Sequence, residues 1–167
     1  MRIKFMFCCL LTAVCILFVS LSASAQEMTS SGRNAAEMKF TTIPGLPTCA
    51  VGSVQSGNPM NAASIIYAKA PTGCSIPWHW HTPEHVMVVT GVARLDMKDA
   101  KSLVLRSGGF AMLPSKHVHQ FRCQTACSIY IYSDFAFDIL YVNAKGDEIS
   151  PADALKAVKE KAATEMK

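Results

Sequence analysis

The chain has 167 residues, with 16 lysines and arginines against 12 aspartates and glutamates, a formal charge of +4, and half of its residues hydrophobic. So small a charge excess, with no basic-aromatic stripe, excludes an electrostatic claim on nucleic acid or an anionic membrane surface. No phosphate-cradling glycine loop and no nucleophile elbow is present: Ser107-Gly108-Gly109 reads as a turn, because no helical pattern follows it.

Residues 1–25 read as a signal peptide. Arg2 and Lys4 precede an apolar stretch from Phe5 to Leu21, and Ala23-Ser24-Ala25 forms a small-residue cleavage site, so the mature chain is expected to start at Gln26. The alternative is a retained membrane anchor, for which the apolar run is short. Cleavage removes two positive charges and leaves a balance of +2, on a length that suits one domain. The implied location is periplasmic or secreted, with no membrane span in the mature chain.

Four cysteines stay in the mature chain: Cys49, Cys74, Cys123 and Cys127. An even count in an exported protein predicts two disulfides. Cys123 and Cys127 flank Gln-Thr-Ala between two β-like runs, so a three-residue hairpin loop brings them within bridging reach. Cys49 and Cys74 then pair by elimination. The rival reading is a thiolate metal site, although Cys-x3-Cys with no second pair nearby is a poor zinc pattern.

Residues 26–40 are polar and aperiodic and read as a flexible leader, followed over 41–62 by loops and short edge segments around Pro44-Gly45, Pro47 and Gly57-Asn58-Pro59. Strand-like runs then follow in series. They cover Ala63 to Ala70, Ser75 to His81, and Glu84 to Met97 with a bend or bulge at Gly91. Next come Lys101 to Arg106, Phe110 to Leu113, Val118 to Cys123, Ser128 to Asp134 and Phe137 to Val142. Turn signals every 8–12 residues favour an antiparallel sandwich or barrel over βαβ units. Ser150-Pro151-Ala152-Asp153 is a helix start, and Leu155, Val158, Ala162 and Met166 then share one face. The expected organisation is a signal peptide (1–25), a leader (26–40), an all-β antiparallel barrel or jelly roll (41–149) and a short C-terminal helix (150–167).

All five histidines fall between residues 79 and 119. On a strand, side chains at i and i+2 share a face, so His79 and His81 aim two imidazoles at one point. Glu84 lies beyond a Thr82-Pro83 break, and His119 sits in a later segment. Imidazoles with one carboxylate suit a divalent first-row transition metal: iron, manganese, copper, nickel or zinc.

These residues resemble the two motifs of the cupin superfamily of small β-barrels. The first usually reads Gly, five residues, His-x-His, three or four residues, Glu, six residues, Gly; here it runs from Gly73 through His79, His81 and Glu84 to Gly91. The second usually reads Gly, five residues, Pro-x-Gly-x-x-His; here it runs from Gly108 through Pro114 to His119. The resemblance implies a metal held by His79, His81, Glu84 and His119, and a homodimer. Two departures stand out. The loop before Glu84 is one residue short. If the strand kept the family register, Glu84 would be the ligand; a one-residue slip would turn His85 inward instead, and three histidines alone are the remaining option. Lys116 stands where Gly is usual, so the turn there is expected to change shape. His117, two residues before His119, is a candidate for the site's rim.

Three functional classes follow. The first is a metal-dependent oxidoreductase of dioxygenase type on a small aromatic or enol-type molecule, with Glu84 as a base. The second is a non-redox metal lyase, isomerase or hydrolase. The third is a non-catalytic metal- or ligand-binding module. Val86, Val88, Phe110, Met112 and Phe121, with Tyr130 or Tyr132, are the expected pocket walls. Trp78 and Trp80 are expected to face away from the metal.

Overall fold

The computed structural model describes residues 30–165 of the chain. The signal peptide expected over 1–25, like the alternative of a membrane anchor, lies outside those residues. Among the described residues no helix is long and apolar enough to cross a membrane.

Residues 35–37 form one 3-10 turn within the expected leader. Twelve strands and a helix follow among the described residues. One antiparallel sheet takes β1 (Thr41–Thr42), β2 (Val51–Gly57), β3 (Ser64–Ala70), β10 (Cys127–Ser133), β5 (Glu84–Thr90) and β8 (Phe110–Leu113), in that spatial order. The second takes β12 (Glu148–Ile149), β11 (Leu140–Val142), β4 (Ser75–Trp80), β9 (His119–Cys123), β6 (Val92–Met97) and β7 (Leu103–Arg106). From β3 to β6 and again from β7 to β11 the chain changes sheet at each successive strand. The architecture is therefore a jelly roll of two sheets rather than one closed barrel. It brings β4, which carries His79, and β9, which begins at His119, side by side.

The core follows from alternation. In β10 the pattern Ile129, Ile131 inward and Tyr130, Tyr132 outward is the period of two expected of a half-buried strand. Val86, Leu95, Leu113 and Phe121 meet these isoleucines in one buried cluster. Each such side chain contributes roughly 1.5–3 kcal/mol by leaving water.

Gly91 is the point where β5 of one sheet becomes β6 of the other. Its φ of 84° belongs to the left-handed region, and a Cβ there would lie 2.1 Å from the Ala126 carbonyl oxygen. The bend expected there is thus the crossing between the sheets.

Two expectations need correction. The stretch 41–62 holds a full seven-residue strand, β2, where only short edge segments were expected. Its Gly, Ser and Gln residues have poor strand propensity, but β1 and β3 pair with it on both sides. Conversely, the alternating run from Phe137 is strand only from Leu140, because the Phe137 N–H bonds to the Pro59 carbonyl (2.7 Å) instead of a ladder partner. The helix α1 (Pro151–Glu165) rests on β4 and β11, and its fully buried contact is Ala154, with Leu155 and Val158 half-buried. Its start is as expected: the Asp153 N–H donates to Ser150 Oγ (3.1 Å).

Both disulfides join the expected pairs, Cys49 with Cys74 and Cys123 with Cys127, each with Cα atoms 5.9 Å apart. The backbones of Cys74 and Cys123 are hydrogen-bonded neighbours (3.0 Å), so both bridges sit at one end of the sandwich.

Candidate metal centre

His79 lies near the end of β4, opposite His119 of β9 on one side and Tyr141 of β11 on the other. Pro77 precedes it. Proline donates no ladder hydrogen bond, and the β4–β9 register is irregular between Ile76 and His79. The freed Pro77 carbonyl accepts the His79 Nδ1 proton at 2.7 Å.

The other two imidazoles are held in the same way. His81 Nδ1 donates to the Thr82 carbonyl (2.5 Å), and His119 Nδ1 donates to the His117 carbonyl (2.8 Å). A carbonyl can only accept, so each neutral ring carries its proton on Nδ1 and presents a bare Nε2. The donor nitrogens of the three buried rings lie within 4.8 Å of one another, and His81 Nε2 and His119 Nε2 are 3.3 Å apart. Two unprotonated ring nitrogens at that distance have no hydrogen to share. A cation between them resolves the contact, and the backbone carbonyl behind each ring is the usual partner of a metal-bound imidazole. The residues present fit a divalent metal.

Burial holds the His79 pKa well below the usual imidazole value, with the neighbouring His119 adding to the effect. Burial likewise lowers His119 to about 4. Both rings are therefore neutral, as a metal ligand must be. Glu84 is buried too, and burial raises its pKa. Its Oε2 lies 3.7 Å from His81 Nε2, beside the histidine cluster rather than within the mutually closest set.

The shortened loop keeps Glu84 in register. Glu84 faces inward, opposite Leu113 of β8 and Ser133 of β10. His85 consequently points outward, between the rings of Phe110 (centroids 5.8 Å apart) and Tyr132 (5.6 Å), so the strand slip that would turn His85 inward does not occur. Asp138 holds the loop: its Oδ1 accepts the Thr82 N–H (2.8 Å) and the Thr82 hydroxyl (3.0 Å). Nothing in the motifs pointed to Asp138. The only signal was a lone carboxylate in an apolar run.

Lys116 takes the conformation of the glycine it replaces, with φ 62°, so the turn keeps its shape. The Lys116 N–H donates to the His81 carbonyl (3.1 Å), tying the second motif to the end of the first, while its ammonium lies 5.8 Å from the Trp80 ring. Trp78 and Trp80 are half-buried. His117, also half-buried, serves His119 through its carbonyl.

A cavity of about 30 Å³ lies at the histidines, walled by Val86, Phe121, Ile129, Ile131 and Phe137 among others. The expected walls are corrected in part. Phe110 and Met112 are more than half exposed on the outer face, Tyr130 and Tyr132 point outward in favour of the two isoleucines, and Val88 belongs to the core without lining this space.

No family model matches the sequence, and no curated protein matches it. Solved structures do. A candidate acetylacetone dioxygenase from Methylibium petroleiphilum superposes with a TM-score of 0.57 at 14% identity, over 74% of this chain and 88% of that one. An RmlC-like cupin from Ralstonia eutropha gives 0.56 at 16% identity, over 82% and 89%. One from Shewanella frigidimarina gives 0.52 at 18%, over 64% and 92%. The chain has the cupin fold. In this chain the first motif places His79 near the end of β4, His81 just beyond it and Glu84 at the start of β5, and the second places His119 at the start of β9.

Proposed function

We propose that this protein is an exported, metal-binding cupin in which His79, His81 and His119, with Glu84 beside them, hold one divalent transition-metal ion. The observation that carries this reading is the set of three Nδ1–H to carbonyl bonds, which leaves three bare Nε2 atoms aimed at one buried point. We further propose a dioxygenase-type oxidoreductase acting on a small aromatic or enol-type molecule, and a homodimeric assembly. A metal with three imidazoles and one carboxylate leaves coordination positions open and supplies Lewis-acid and redox chemistry there. The chain's own contribution is orientation, exclusion of water by apolar walls, and proton handling. Glu84, with its raised pKa, is the residue placed to take or return a proton, 3.7 Å from His81 Nε2.

One observation favours a second reading. A cavity of about 30 Å³ is near the share of one water molecule, so a non-catalytic metal-binding module also fits this site. Elemental mass spectrometry of the mature protein, followed by oxygen uptake with acetylacetone and with catechol, separates the two. About one metal per chain with oxygen uptake supports the enzyme. Metal without uptake supports the module. No metal after reconstitution overturns both.

A further inference from the structure

Phe137 lines two cavities. One is the small space at the histidines. The other, of about 210 Å³, lies against β1 and β2 and the turn at Pro59-Met60, with Ile43, Val54 and Ile66 on its walls. Phe137 is the one residue common to both linings. It sits in the irregular stretch after β10, is half-buried against the core, and is anchored through its main chain to Pro59. Its ring can therefore change rotamer without breaking that anchor. Most of the other walls of the histidine cavity come from paired strands.

We propose that the larger cavity binds a small molecule with a flat apolar body and a single phenolate or enolate oxygen, and that the Phe137 ring partitions it from the histidines. The proposal rests on the metal-centre reading for its second half and names that centre's substrate class. Size sets one limit: a cavity of about 150 Å³ accommodates benzene, so 210 Å³ takes a ring with one or two small substituents. Charge sets the other. Among the described residues no carboxylate lines the cavity; Lys39 does and makes no ion pair with any of them, while the hydroxyls of Thr41, Thr42 and Ser53 offer hydrogen bonds. One uncompensated ammonium beside apolar walls suits one oxyanion and disfavours cations and polyanions. The space at the histidines holds about one water, so a substrate reaches them only if a lining side chain moves. The shared wall is the one whose movement joins the cavities.

The test uses the full mature chain with 4-fluorophenol as probe, followed by fluorine NMR in the metal-free form and after loading with Mn(II). Wild type in the metal-free form is expected to bind saturably. Val54→Trp, a change at a position 42% exposed and outside the histidine cavity, is expected to weaken that binding roughly tenfold or more while Mn(II) stoichiometry stays the same. Phe137→Ala, or the milder Phe137→Leu, is expected to increase the Mn(II)-induced broadening of the bound probe. Absence of saturable binding, or equal affinity in Val54→Trp, overturns the cavity assignment. Unchanged broadening in both Phe137 variants overturns the partition. Saturable binding without Mn(II) uptake overturns the metal reading and leaves the cavity standing.

Discussion

His81 and His119 face each other with their Nε2 atoms 3.3 Å apart, and each ring's other nitrogen is already committed to a backbone carbonyl. The two motifs, 38 residues apart, thus meet at an electron-rich contact that only a cation or an added proton relieves. Burial opposes the proton, since His119 is lowered to about 4.

His119→Ala should therefore abolish stoichiometric metal binding while leaving the fold intact. Metal should stabilise the wild type by about 2.7 kcal/mol when present at a hundred times its dissociation constant, and should stabilise the variant by nothing measurable. Thermal melts with and without metal, beside elemental analysis, check this; an equal metal-induced shift in both proteins refutes it.

Asp138→Ala removes two of the bonds that hold Thr82 and leaves the hydroxyl only the Ala136 carbonyl (3.3 Å). The expected loss is about 1–3 kcal/mol of stability, with metal affinity falling roughly tenfold or more as the His81–Glu84 loop loosens. Denaturant titration and chelator competition read the two effects separately. Weakened stability with unchanged affinity would remove Asp138 from the positioning of the site.

Asp96 accepts hydrogen bonds from Arg94 Nε (2.7 Å), Ser102 (2.6 Å) and Gln120 (3.1 Å), and the Arg94 guanidinium foremost holds its pKa down at about 2. A depressed carboxylate contributes stability above its unfolded pKa and loses it as pH falls through the folded one. The window is therefore about pH 4 down to about 2. Solvent screening limits the contribution to about 1 kcal/mol or less. Asp96→Asn should flatten the pH dependence of stability in that window and leave the region above pH 5 parallel to wild type.

Gly91→Ala places a methyl group 2.1 Å from a backbone oxygen at a residue with positive φ. A loss of about 3 kcal/mol or more is expected, against under 1 kcal/mol for an exposed alanine substitution elsewhere. A variant with wild-type stability would mean that the β5–β6 crossing is not as tight as described.

The disulfides should differ in worth. In the chain-entropy model, closing the 25-residue separation of Cys49 and Cys74 contributes about 3.5 kcal/mol, and the four-residue separation of Cys123 and Cys127 about 2 kcal/mol. Paired Cys→Ala variants compared by denaturation test the order.

Much of this was legible in the sequence because it rests on period and spacing. The His79–His81 pair and the return at His119 follow from alternation and from turns whose Gly and Pro residues are unambiguous. What stayed hidden depends on tertiary neighbours. The strand at Val51–Gly57 has weak propensity and forms because partners flank it. The choice between Glu84 and His85 depended on whether the missing loop residue shifted the strand, and Asp138, 56 positions from Thr82, is what absorbs it. The aromatic phase of β10 was open until Ile129 and Ile131 took the inward positions.

The three imidazoles are oriented by the carbonyls of Pro77, Thr82 and His117, and a carbonyl is something every amino acid possesses. The support behind the donors is thus indifferent to side-chain identity and depends only on the path of the chain. Substitutions around the histidines can accumulate without altering which nitrogen is bare, provided the strand ends and turns hold their course. In a centre built this way the orientation of the donors is written in the course of the backbone rather than in its spelling.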